Sequence, residues 1–66
     1  MKRINVRSSR LRSVGWEDNV LEVEFKDGAI YQYFDVSPIE FKNLMSAPSL
    51  GKELSRLEKL HRYSPV

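Results

Sequence analysis

The stretch that most constrains this chain is V-L-E-V-E-F-K-D-G-A-I-Y-Q-Y-F, Val20 to Phe34. Leu21, Val23 and Phe25 alternate with Glu22, Glu24 and Lys26, the two-residue period of a strand with one buried face. Asp27-Gly28 is a strong hairpin signal, because glycine takes the left-handed backbone such turns require. Ala29 to Phe34 then returns as a partner strand. A chain that contains this hairpin is committed to an antiparallel sheet.

The hairpin has two possible registers. A strict two-residue turn at Asp27-Gly28 pairs Lys26 with Ala29 and Phe25 with Ile30. Ile30, Gln32 and Phe34 then share the Leu21-Val23-Phe25 face, and both Tyr31 and Tyr33 sit beside the glutamates. A three-residue loop, Lys26-Asp27-Gly28, with a left-handed Gly28 at a bulge, pairs Phe25 with Ala29, Val23 with Tyr31 and Leu21 with Tyr33. One face is then almost wholly apolar. A one-residue slip flips every side chain, so the choice decides where the tyrosines point. The second register separates apolar from polar residues better and is the one the pattern favours. It leaves Phe34 pointing outward unless the strand bends or ends there.

Elements on either side follow from local signals. Leu11, Val14 and Trp16 mark an earlier strand over roughly 11–17, joined to Val20 by the turn residues Asp18-Asn19. Ser37-Pro38-Ile39-Glu40 fits a capping box with proline at the first helical position. Val36 and Phe41 are spaced for a hydrophobic staple. Ala47-Pro48 ends that helix, and Ser49 can cap another. Leu50, Leu54, Leu57 and His61 line one side of the second helix, with Leu60 flanking. Lys52, Arg56 and Lys59 recur on the opposite side. Gly51 in its first turn suits a close backbone approach. The expected architecture is α+β: a three-stranded antiparallel meander followed by two helices packed on one face, in the order β-β-β-α-α. Residues 1–7 read as a flexible basic arm and residues 8–66 as one domain. The second face of the sheet is expected to be wet.

Sixty-six residues bury only a small core. The chain has no cysteine and one histidine, so it lacks the donor set of a conventional zinc site. It shows no cofactor motif, no apolar run of membrane-spanning length and no signal-peptide core, and cytoplasm is the expected compartment. The net charge of +2 is unevenly spread. Lys2, Arg3, Arg7, Arg10 and Arg12 precede any acid. Glu17 to Asp35 is mostly acidic, and the last third is mixed. Such asymmetry suits either an anionic partner at one end or a plain solubilising surface.

The ordered set Ser8-Ser9, Val14-Gly15-Trp16, Leu21-x-Val23-x-Phe25, Gly28, Tyr31-Gln32-Tyr33, Val36, Ala47-x-Ser49-x-Gly51 and Tyr63 resembles the KTSC domain. That short domain occurs alone in bacterial and phage proteins and at the C-terminus of some lysyl-tRNA synthetases. The resemblance spans residues 6 to 63. It implies no established activity, and the attachment to a tRNA synthetase points to RNA. Trp16 stands where the family usually has tyrosine. Glu53-Leu54-Ser55 stands where the family tends to an aromatic followed by asparagine, so any site built on that pair is altered in this chain.

Two roles compete for each candidate residue. Tyr31 and Tyr33 are either core rings with hydroxyls at a rim or a stacking platform for unpaired bases. Arg7, Arg10 and Arg12, with Lys52, Arg56 and Lys59, are either a solvated surface or a seat for phosphates. Glu22 and Glu24 would repel phosphate from the open sheet. His61 reads as a rim histidine of the helix interface, with Glu58 a possible partner. The first turn of the second helix offers free N–H groups to an anion. No acid, base and nucleophile stand in a recognisable arrangement, so an enzyme is not expected. The expected function is a small non-enzymatic domain, a monomer or weak dimer, that binds RNA or another single-stranded nucleic acid. The alternative is a protein-interaction or self-association module using Ile30, Phe34 or a sheet edge.

Overall fold

The structure is a computed structural model covering all 66 residues. Its elements are β1 (Ile4–Asn5), β2 (Leu11–Glu17), β3 (Val20–Phe25), β4 (Ile30–Tyr33), α1 (Pro38–Met45), α2 (Leu50–Glu58) and β5 (Tyr63–Pro65). All strands join one antiparallel sheet in the order β1-β2-β3-β4-β5. The class is α+β, but the sheet has five strands where three were expected. The two extra strands come from opposite ends of the chain. Ile4–Asn5 adds to β2, and Tyr63–Pro65 returns after the helices to pair with β4. Both are too short to show a period, and Pro65 is tolerated because β5 is an edge.

The hairpin adopts the three-residue register. Leu21 faces Tyr33, Glu22 faces Gln32, Val23 faces Tyr31 and Glu24 faces Ile30. Phe25 N–H donates to Ala29 O at 2.8 Å, and Gly28 takes φ +96°. Strand β4 ends at Tyr33, and Asp35 turns the chain with φ +60°, which resolves the misfit of Phe34. Between β2 and β3, Asp18 and Asn19 both take positive φ, the geometry of a tight two-residue hairpin. A register shift between Leu11 and Ser13 lets both Leu11 and Val14 face the core.

The covered face carries Leu11, Val14, Leu21, Val23 and Tyr33, and Val36, Leu44, Leu54 and Leu57 close over it. Trp16 stacks on Phe41 and donates its indole N–H to Val36 O at 2.9 Å, tying the end of β2 to the start of α1. The capping box of α1 is complete. Glu40 N–H donates to Ser37 Oγ, and Ser37 N–H donates to Glu40 Oε1. Ser49 caps α2 by accepting from Lys52 N–H.

The second sheet face is not simply wet. The N-terminal segment crosses it at Gly15, where an added Cβ would stand 2.6 Å from Lys2 O. Arg3 reaches across to pair with Glu22 and donates to Ser13 Oγ. Gln32 donates to Glu22 Oε1, and Ser13 donates to Glu24. Glu22 is consequently 8% exposed. The hydrogen bond from Gln32, with Arg3 assisting, holds its carboxyl below the usual glutamate range against the opposing effect of burial.

Candidate functional site: an aromatic and basic groove along the second helix

Arg10 organises the surface. It lies just before β2, and its Nη1 donates to Gly51 O at 3.2 Å and to Ser55 Oγ at 2.8 Å. Its guanidinium carbon lies 5.7 Å from the centre of the Phe25 ring, and Nη2 is 3.9 Å from Glu58 Oε1. Gly51, Ser55 and Glu58 form one stripe of α2, and Arg10 lies along it. A Cβ at Gly51 would lie 3.4 Å from Arg10 Cδ, an ordinary contact, so the arginine does not require this glycine.

On one side of Arg10 an open groove of about 530 Å³ is lined by Phe25, Tyr31, Tyr33, Tyr63 and Glu58, with Lys26, Asp27 and Ala29 at its far end. Its rings form a connected set. Phe25 meets Tyr31 edge-on, Tyr31 meets Tyr63 edge-on, and Tyr33 tilts against Tyr63 at 5.5 Å between centres. These contacts follow from the register, which stacks Tyr33 beside Tyr63 and Val23 beside Tyr31. The rings differ in exposure: Tyr33 is buried, Tyr31 half-buried and Tyr63 56% exposed. Tyr33 donates its hydroxyl to Glu58 Oε2 at 2.8 Å. Burial first, and then this carboxylate, push its phenol well above the ordinary tyrosine range.

On the other side of Arg10 lies a smaller polar hollow lined by Ser9, Ser49, Gly51, Lys52 and Ser55. Lys52 and Arg56 occupy the next stripe of α2 and Lys59 is its C-cap, all exposed and none in an ion pair. Arg10 thus adjoins Tyr31 and Tyr33 on one side and Lys52 on the other, while Arg56 and Lys59 line neither hollow. Arg12 is directed elsewhere. Its Nη2 donates to Lys26 O and its Nε is 3.9 Å from Glu24. Arg7 is exposed and lines neither hollow.

His61 pairs differently from the sequence expectation. Its partner is Glu40 of α1, with Nε2 2.7 Å from Oε2, while Glu58 is engaged by Tyr33 and Arg10. The cap at Ser37, and then His61, hold the Glu40 carboxyl below its usual range. Lining residues that sequence reasoning did not single out are Phe25, Lys26, Asp27, Ala29 and the edge-strand placement of Tyr63. Phe25 was legible as an inward residue but not as a groove wall. Nothing local in Tyr63-Ser64-Pro65 marks a strand. No group of three or more histidine, cysteine, aspartate or glutamate side chains is arranged to hold a metal ion, and no helix is long and apolar enough to cross a membrane.

This is a small α+β domain with basic and aromatic residues at its surface. Residues 7–56 match the model of the KTSC domain family. The chain is 34% identical to a crystallised KTSC domain protein from Yersinia pestis, covering 98% of this chain and 96% of that one with a TM-score of 0.91. A protein of Stutzerimonas stutzeri is 43% identical over 96% of this chain and 92% of its own length. One from Tsukamurella paurometabola is 32% identical over 82% and 84%. This chain belongs to the KTSC domain family.

Proposed function

We propose that the domain is a non-enzymatic binder of single-stranded nucleic acid, RNA foremost. The observation that carries this reading is that one arginine, Arg10, lines both hollows, so the aromatic groove on one side of it adjoins the hollow holding Lys52 on the other. A base stacks on the exposed ring of Tyr63 and meets Tyr31 edge-on, and phosphates lie along Arg10, Lys52, Arg56 and Lys59. Tyr33 supports rather than stacks, because its buried ring and bonded hydroxyl hold Glu58 in place. Arg7 and Arg12 add to the long-range positive field. Stacking on an aromatic face requires an unpaired base, so duplexes bind less well.

The test is resonance-shift mapping with short single-stranded RNA and DNA, repeated from about 50 mM to about 200 mM salt. Shifts centred on Tyr31, Tyr63 and the α2 cations, with affinity falling steeply as salt rises, are expected. An unperturbed spectrum at low salt overturns the reading.

A protein partner is the second reading. Ile39 is 71% exposed and Leu60 65% exposed, and they adjoin the bonded pair Glu40 and His61. Shifts confined to this region on adding a partner would favour it. Self-association through sheet edges is disfavoured, because β1 has two residues and β5 carries Pro65.

A further inference from the structure

Both ring nitrogens of His61 face acceptors. Nδ1 lies 2.9 Å from Phe34 O, and Nε2 lies 2.7 Å from Glu40 Oε2. A backbone carbonyl cannot donate. Glu40 already accepts from Ser37 N–H through Oε1 and is held in its ionised form. A neutral imidazole has one N–H and satisfies one of these partners only. Whichever it keeps, its other lone pair then confronts an oxygen. The imidazole side chain is 9% exposed, so water is a poor substitute.

The position of this contact gives it consequence. Phe34 is held twice by the chain that follows α2: His61 reaches its carbonyl, and its N–H donates to Arg62 O at 2.9 Å. Tyr63 begins β5 two residues after His61, and its ring lines the groove. The other end of β5 is held by Val66 N–H donating to Ile30 O. Strand β5 is three residues long and wholly exposed, the type of element that opens locally at small cost. The charged groups around the imidazole have separate engagements. Asp35 and Arg62 form an exposed pair at 4.0 Å, and Glu58 is turned toward Tyr33 and Arg10. Glu40 is the one carboxylate bonded to the ring.

We infer that His61 is a proton-operated latch: as imidazolium it bridges Phe34 and Glu40, seating β5 and Tyr63 on β4, and loss of its proton releases that seat and loosens the groove wall. The effect on ligand rests on the nucleic-acid reading above, whereas the latch itself is a property of the free domain. Base stacking against Tyr63 therefore weakens as the ring loses its proton.

The test uses the full chain without ligand. Ring nitrogen spectra of His61, recorded from about pH 5 to about pH 9, distinguish imidazolium from each neutral tautomer. Amide protection factors, corrected for the intrinsic pH dependence of exchange, are measured at Phe34 and Val66 over the same range. Protection at both is expected to fall about tenfold along the His61 titration, the loss of one charge-assisted bond. Glu40→Gln keeps a residue able to complete the capping box but removes the carboxylate, and it should abolish that step. A neutral ring throughout, or protection that does not follow the titration, overturns the latch. Because no nucleic acid is present, a failed RNA titration leaves this result standing, and the converse also holds.

Discussion

Arg10 and Gly51 meet across 41 positions of chain, the Nη1 of one donating to the carbonyl of the other at 3.2 Å. The same nitrogen donates to Ser55 Oγ, so one side chain stitches the lead-in to β2 onto the first turns of α2. Arg10→Gln should destabilise the domain by about 1 kcal/mol, the usual worth of such bonds at a part-exposed site. Urea unfolding checks this, and an unchanged midpoint would mean that the contact contributes nothing. On the proposed nucleic-acid reading, the same variant should weaken RNA binding more than it weakens the fold.

Ser37→Ala removes the acceptor for Glu40 N–H while leaving Pro38 at the first helical position. A loss of ~1 kcal/mol is expected. Ser37→Asp should recover most of it, since aspartate accepts the same bond and suits a helix N-terminus. Paired thermal melts of the two variants distinguish capping from general disturbance.

Gly15→Ala places a methyl group 2.6 Å from a backbone oxygen of Lys2. The contacted atom is backbone and cannot swing aside as a side chain would, so the N-terminal segment must lift, taking Arg3 from Glu22. Destabilisation by about 1–3 kcal/mol is expected, as for other overpacked sites. Deleting residues 1–3 should remove most of the penalty of the substitution while carrying a cost of its own. If alanine is equally harmful in both backgrounds, the strand itself is intolerant and the crossing segment is not the cause.

Two carboxylates set the response to acid. The folded values of Glu22 and Glu40 lie below the ordinary glutamate value of 4.5. A depressed folded value means that the unfolded chain takes up the proton first. Their contribution is complete above that ordinary value and fades as pH falls through the depressed folded values. Stability measured by denaturant should therefore drop on the acid side, and Glu22→Gln should flatten that limb. An unaltered acid limb in the variant would sink the assignment.

Tyr33 should be the last tyrosine to ionise. Its phenol is buried and hydrogen-bonded to a carboxylate, and both favour the protonated form. Alkaline absorbance titration should show one tyrosine that ionises only as the protein unfolds, and Tyr33→Phe should remove that component. Persistence of that late component in the variant would sink the assignment.

What could be read in advance was local. The hairpin register was legible because faces separate cleanly only when Val23 meets Tyr31 and Leu21 meets Tyr33. The capping box was legible because its partners stand three residues apart. Strands β1 and β5 were not, because two or three residues carry no period and their pairing is bought by tertiary contact alone. The groove was half legible. Tyr31, Tyr33 and the basic residues stand out in the chain, but the groove itself depends on Arg10 crossing to Gly51 and on Tyr63 returning to β4. His61 found Glu40 because the end of α2 comes back to the start of α1, a relation that sequence spacing does not encode.

The sheet order has a practical consequence for any fused or neighbouring module. Strands β1 and β5 form its opposite margins, with four inter-strand steps, about 19 Å, between them. A module joined upstream of Ile4 departs from over the second sheet face, where Lys2 lies against Gly15 and Arg3 reaches Glu22. One joined after Val66 departs beside the groove and shares its entrance. The orientation of a fusion therefore decides whether the neighbour is a bystander or a doorkeeper.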